Sequence, residues 1–262
     1  MLEYPAIDPI FFSIGPLHVR WYGLAYLAGL TLPFVVFKRS YQDQIKMTPD
    51  DILNYISSLI LGVIIGGRLG YVFFYDFLNF LESPLLIFAI WKGGMSYHGG
   101  AIGAIVSSIL FSKKHKFNTL MLLDLLAIGS TIGIFFGRLA NFINGELFGR
   151  VTTSAFGMIF PYGGPLPRHP SQLYEAFFEG LILFIILFII RRAFTLMPGI
   201  LGSIYLILYG SFRFFIEFFR EPDSHLGFVF QFFSLGQVLC FVEIFIGIFL
   251  ILKLTKDAKT ST

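Results

Sequence analysis

Seven apolar runs leave this chain of 262 residues few ways to fold. They cover residues 21–37, 52–75, 95–111, 120–137, 173–190, 199–215 and 235–254. A helix crosses the hydrocarbon core of a bilayer with roughly 20 predominantly apolar residues, and helices satisfy their own backbone there. Only 13% of the residues are charged, against about 25% in a soluble domain. The expected fold is therefore an all-α polytopic membrane protein with seven transmembrane helices. It forms one membrane-embedded domain over residues 1–262.

The segments between the runs differ in kind. Residues 1–19 are too short to span. Ile10–Ile14 and Leu17–Trp21 read as two extended pieces around Gly15-Pro16, an interfacial N-terminal arm. The connection from about residue 139 to 172 is polar and rich in Gly and Pro. It is too long for a simple turn and predicts a small extramembrane head. The first residues lack a basic n-region, so no cleavable signal peptide is expected.

Orientation follows from the cations. Eleven of the nineteen Lys and Arg follow runs one, three, five and seven: Lys38, Arg39, Lys46, Lys113, Lys114, Lys116, Arg191, Arg192, Lys253, Lys256 and Lys259. Basic loops stay inside, which places the C-terminus in the cytoplasm and the N-terminus and the head outside. The other eight are Arg20, Arg68, Lys92, Arg138, Arg150, Arg168, Arg213 and Arg220. Seven of these are arginines, the side chain suited to fork-like recognition of phosphate or carboxylate. An outward basic basin at headgroup depth points to an anionic lipid phosphate. Any single arginine also has a plainer reading, as a snorkelling residue or a partner of Glu82, Glu146, Glu175, Glu217 or Glu221.

The stretch Gly137–Gly149 closes the fourth run with an arginine, two amides and a carboxylate among glycines. Such groups at a membrane edge are costly unless they bind something. Tyr209, Arg213, Glu217 and Arg220 recur every three or four residues and share one helical face. The glycines of Gly66–Gly70 and Gly99–Gly103 permit close backbone approach, which helix packing alone would also require. His98, flanked by glycines at the outer end of a run, is the best-placed general base. His169 is a second candidate; His18 and His225 are weaker. The single cysteine, Cys240, excludes an intrachain disulfide and a multi-cysteine metal site. No His-Glu-x-x-His, P-loop or Gly-x-Ser-x-Gly motif is present, and neither a metal nor a cofactor is expected. A transporter for an anionic solute would also use buried arginines, but it would place them near the midplane of repeated halves. An intramembrane hydrolase built on Ser96 with His98, or Ser171 with His169, has pairs too close in sequence to establish a catalytic geometry.

The stretch Gly137–Gly149 resembles the signature of the bacterial phosphatidylglycerol–prolipoprotein diacylglyceryl transferases. So do Trp21-Tyr22-Gly23, Gly67–Tyr71, Gly93–Gly100, Arg168–Glu175 and Phe212–Arg220. Ala101 stands where that family more often has Leu, a change of packing. The resemblance implies transfer of a diacylglyceryl group from phosphatidylglycerol to the lipobox cysteine thiol of a preprolipoprotein, with a thioether formed and glycerol phosphate released. It implies an inner-membrane enzyme with its site toward the periplasm, and phosphatidylglycerol, preprolipoproteins and membrane lipids as partners. It also implies roles. Arg138 and Arg213 clamp the phosphate, and His98 takes the thiol proton. Tyr22 and Tyr209 orient the reacting groups. Asn141, Asn144 and Glu146 hold the headgroup or Arg138, with Gly149 beside them. Glu217 orients Arg213, and Arg68 and Arg220 add to the field.

Overall fold

Helices form at all seven apolar runs. The computed structural model describes residues 2–5, 7–15, 17–40, 46–90, 93–221, 228–229 and 233–260. The long helices are α1 (Trp21–Ser40) and α2 (Pro49–Tyr75), then, after the short α3 (Phe77–Glu82), α4 (Tyr97–His115) and α5 (Thr119–Ile143). The remainder are α6 (Ser171–Ala193), α7 (Ile200–Ile216) and α8 (Leu235–Thr260). Four of them, α2, α5, α6 and α8, are long and apolar enough to cross a membrane. α7 is apolar over 17 residues, and α1 over Gly23–Pro33. Large apolar side chains stand exposed along these helices, such as Phe74, Leu110, Ile189 and Phe249. That outward surface suits lipid, and the molecule is a mostly helical membrane protein.

Local chemistry sets the ends. Thr48 and Asp51 form a capping box at α2, with Pro49 in its first turn. The Ser96 hydroxyl accepts from Gly99 N–H at the start of α4, so this helix begins two residues later than the apolar run. Lys116 in the left-handed region (φ 60°) ends it. The two extended N-terminal pieces pair as an antiparallel hairpin, β1 (Ile10–Ile14) with β2 (Leu17–Arg20). A second hairpin, β3 (Phe228–Val229) with β4 (Phe233–Ser234), precedes α8. α3 and a 3₁₀ turn at Pro84–Phe88 add helical structure between α2 and α4 that no long run announced.

The chain divides into two compact units, residues 34–126 and residues 1–33 with 127–262. In the first, a stripe of small residues joins α2 to α4. A Cβ at Gly62 or Gly66 would fall on the carbonyls of Gly103 and Gly99, so larger residues cannot enter without separating the helices. Ser58 and Ser107 hydroxyls bond across this seam at 2.7 Å, and Tyr55 OH donates to Leu122 O at 2.8 Å. The glycines of both motifs thus have the packing role.

In the second unit, Gly180 of α6 lies against the backbone of Phe135 in α5. α6 carries a π-helical segment at Ala176–Ile182. α5 runs six residues past Gly137, so the head loop begins near residue 144 instead of 139. The loop to residue 170 folds on short bridges, Val151 with Arg168 and Met158 with Arg168. Beneath it Phe142, Met158 and Phe160 form a small core with Tyr4, Phe148 and Leu173 packed on it.

Candidate active site

Glu175 is the centre of the polar chemistry in the second unit. It lies in the first turns of α6 and is fully buried. Two contacts fix that end of the helix: Ser171 Oγ donates to Leu147 O at 3.2 Å, and Gln172 Nε2 donates to Glu146 O at 2.6 Å. The carboxylate receives three arginines on one oxygen. Arg138 Nη2 of α5 is 2.9 Å from Glu175 Oε2, Arg213 Nη1 of α7 is 2.6 Å away, and Arg220 Nη1 is 3.1 Å away. Arg213 also reaches Glu217 Oε2 at 3.0 Å and Glu179 Oε1 at 3.6 Å. Glu217 is held in turn by Ser234 Oγ at 3.1 Å and faces Arg220 Nε at 3.6 Å. The three guanidinium groups thus converge on one buried carboxylate oxygen, each in a charge-assisted contact. Arg138 keeps 22% of its side chain exposed, so the cluster has an open side.

Three helices build this point for simple reasons. Arg138 and Asn141 are three apart on α5 and share a face. Glu175 and Glu179 stand four apart on α6. Arg213 and Glu217 do so at the end of α7, with buried Tyr209 one turn earlier. Beyond Asn141, Gly145 (φ 67°) and Leu147 (φ 57°) turn the chain. That turn brings Glu146 Oε1 within 2.8 Å of Asn141 Nδ2 and 3.3 Å of Asn144 Nδ2. The two amides and the carboxylate singled out at the end of the fourth run thus form one hydrogen-bonded turn following Arg138. Gly149 pairs with Arg220 in a short bridge and lies so close to Phe219 O that a side chain cannot fit.

Other cations of that set of eight sort by what they hold. Arg150 Nε donates to Arg220 O at 2.6 Å, and Arg168 bonds Gly163 O and Glu221 Oε2 at 2.8 and 2.9 Å. In the other unit, Arg68 is buried and donates to the carbonyls of Leu86, Ile87, Gly93 and Gly94, pinning that segment. His98, also there, is exposed in the first turn of α4 with its ring at Tyr97. Arg68 and His98 thus belong to the unit of residues 34–126, and the groups around Glu175 to the other. Tyr22 lies on α1, and its side chain is outside the described residues, as are Lys92 and His225. His169 packs its ring on Phe219 and faces Tyr174 OH at 3.3 Å. Burial holds its imidazole below the usual value, so it is neutral at neutral pH. His18 bonds Ser13 across the N-terminal hairpin, and His115 stacks on Phe111.

Sequence reasoning named Glu175 only as one possible partner and did not single out Glu179. Two carboxylates four residues apart at the head of an apolar helix were the available signal. Tyr4 was missed as well. Its hydroxyl donates to Phe142 O at 2.8 Å and Ile143 O at 3.0 Å, covering the last carbonyls of the helix that bears Arg138. Burial raises the pKa of this phenol and keeps it a donor.

Among the described residues no group of three or more His, Cys, Asp or Glu could hold a metal. Residues 9–253 match the prolipoprotein diacylglyceryl transferase family. Phosphatidylglycerol–prolipoprotein diacylglyceryl transferases similar to this chain include that of Geobacter sulfurreducens, 45% identical over 94% of this chain and 95% of its own length. That of Pseudoalteromonas translucida is 46% identical over 100% and 98%, and that of Paramagnetospirillum magneticum 47% over 99% and 98%. With matches of that extent, and with Arg138, Glu146 and Arg213 gathered in one unit, the chain belongs to the prolipoprotein diacylglyceryl transferase family.

Proposed function

We propose that the arginine cluster around Glu175 binds the phosphate of phosphatidylglycerol and stabilises it as it leaves. The enzyme transfers the diacylglyceryl group from phosphatidylglycerol to prolipoprotein, the first step of lipoprotein maturation. In the proposed chemistry the lipobox cysteine sulfur of the substrate attacks the glyceryl carbon. The bond from that carbon to the phosphate oxygen breaks, and the thioether and glycerol phosphate result. The nucleophile belongs to the substrate, which agrees with an enzyme whose one cysteine is buried. As the bond breaks, the phosphate gains charge. Arg138 and Arg213, held side by side by Glu175 Oε2, meet that charge with their positive charges. Glu217 holds Arg213 from behind, Arg220 completes the basin, and Tyr209 and Tyr22 orient the reacting groups. The Asn141–Asn144–Glu146 turn holds the glycerol headgroup at the foot of Arg138, with Gly149 beside it, and Arg68 adds positive charge. His98 takes the thiol proton, directly or through a water.

We also assign the protein to the bacterial inner membrane, a reading that its long apolar helices support. We assign seven crossings, an outer head and N-terminal hairpin at the periplasmic interface, and a cytoplasmic C-terminus. These form one membrane-embedded transferase domain.

The meeting of three arginines on Glu175 carries the reading. The test uses purified enzyme, phosphatidylglycerol and a lipobox peptide, with a mass gain of one diacylglyceryl unit as product. Arg138→Ala is expected to lose turnover by about a hundredfold or more, and His98→Ala by a similar order. Near-normal turnover in a folded Arg138→Ala protein overturns the phosphate clamp. Near-normal turnover in His98→Ala removes only the base.

A further inference from the structure

Glu179 stands apart from the other acids of the site. It is fully buried, and neither carboxyl oxygen receives a hydrogen bond. Among the described residues its ion-pair neighbour is Arg213 Nη1 at 3.6 Å, a nitrogen already bonded to Glu175 at 2.6 Å. A buried carboxylate without donors is expensive, and in a native site it calls for a reason. Glu179 lies within the π-helical segment Ala176–Ile182, and π segments gather at functional sites.

Charge supplies the reason. Arg138, Arg213 and Arg220 bring three positive charges, and Glu175 and Glu217 bring two negative ones. With Glu179 neutral the cluster keeps one positive charge for an incoming phosphodiester. With Glu179 ionised the cluster is balanced and has no net attraction for an anion. The groups facing Glu179 are Arg213, Glu175, Arg138 and Arg220. Cys240 of α8 faces it too, while Glu243 of α8 faces Arg213.

We propose that Glu179 is a proton-dependent positioning residue of the lipid site: neutral when the anionic headgroup is bound, and ionised, balancing Arg213, when the site is empty. This rests on the phosphate reading of the arginine cluster. Binding the headgroup then takes up a proton, so affinity for phosphatidylglycerol falls as pH rises. The phosphodiester itself stays an anion throughout.

The experiment measures binding of phosphatidylglycerol, presented in phosphatidylcholine micelles, to the full-length enzyme between about pH 5.5 and about pH 8.5. The wild-type Kd is expected to rise on the order of tenfold over that range, the effect of one charge a few ångströms away. Glu179→Gln, permanently neutral, is expected to bind tightly with a flat profile, and Glu179→Asp to keep the slope. Calorimetry of the wild type in buffers of different ionisation enthalpy should show proton uptake that peaks at about half a proton per lipid where the profile is steepest, a readout that needs no variant. A flat wild-type profile, no proton uptake, or an unchanged slope in Glu179→Gln overturns the proposal. So does loss of the slope in Glu243→Gln with retention in Glu179→Gln. If Arg138→Ala binds the lipid as wild type does, the phosphate reading itself fails. If Arg138→Ala loses binding while Glu179→Gln keeps the wild-type slope, only the role of Glu179 fails.

Discussion

Arg213 touches three acids of the polar cluster, Glu175, Glu179 and Glu217, and it does so with two different nitrogens. Nη1 serves Glu175 at 2.6 Å and Nη2 serves Glu217 at 3.0 Å. A planar guanidinium makes both contacts at once. A lysine offers a single ammonium on a flexible stem and cannot reproduce the fork. Arg213→Lys therefore separates charge from geometry. The variant keeps the charge of the cluster, so it should remain folded. Transfer of the diacylglyceryl group should fall by about a hundredfold, with most of the loss in kcat, because the lost donor acts on charge that develops in the transition state. Steady-state kinetics on a variant with wild-type thermal unfolding would check this. Full activity in Arg213→Lys would reduce the role of Arg213 to bulk charge. The spacing of Tyr209, Arg213 and Glu217 is legible in the chain because α7 makes it so, but the shared helical face expected to reach Arg220 stops short of it: the helix ends at Ile216, and Arg220 lies beyond, bridged to Gly149. The convergence on Glu175 is not legible. It joins α5, α6 and α7 across long sequence separations, and no periodicity reports which carboxylate three arginines will share.

At the scale of elements, apolar runs announce helices well because nothing else in the chain competes with them. The helix ends are less legible. α5 was expected to stop at Gly137, where the apolar run gives way to Arg138 and Asn141. It continues to Ile143 because its polar residues find partners: Arg138 bonds Glu175, and Asn141 bonds Glu146. The N-terminal hairpin was readable from Gly15-Pro16, but the use made of the residues before it was not. Tyr4 closes the carbonyls of Phe142 and Ile143 and packs its ring on Phe142 and Phe160, at centroid distances of 5.4 and 5.1 Å. The start of the chain thereby secures the end of the helix that presents Arg138. Tyr4→Phe keeps the ring and removes the donor. The expected cost is about 1–2 kcal/mol, read as a drop of a few degrees in the thermal unfolding midpoint in detergent. An unchanged midpoint would show that the α5 terminus holds without this bond.

At the scale of the whole molecule, two features bear on which side of the membrane the chemistry occupies. One is the distribution of cations, which leaves Lys113, Lys114 and Lys116 after α4 and the head loop after α5. The other is α5 itself, 25 residues long and apolar enough to cross. If α5 spans, the basic cluster before it and the head after it face opposite compartments, and the positive-inside rule puts the head outside. That side is also where a secreted acceptor would arrive with its thiol. The chain has one cysteine, Cys240, and it is buried, so single introduced thiols can report position with little background. Lys114 and Thr153 are both exposed and bracket α5. In right-side-out membrane vesicles, a membrane-impermeant maleimide should label Thr153→Cys directly. It should label Lys114→Cys only after the membrane is permeabilised. The reverse pattern would invert the topology and turn the arginine cluster toward the cytoplasm, away from a secreted acceptor. Labelling of both sites in sealed vesicles would mean that α5 does not cross. The head and the lysine cluster would then share one compartment, and the assignment of seven crossings would fail with it.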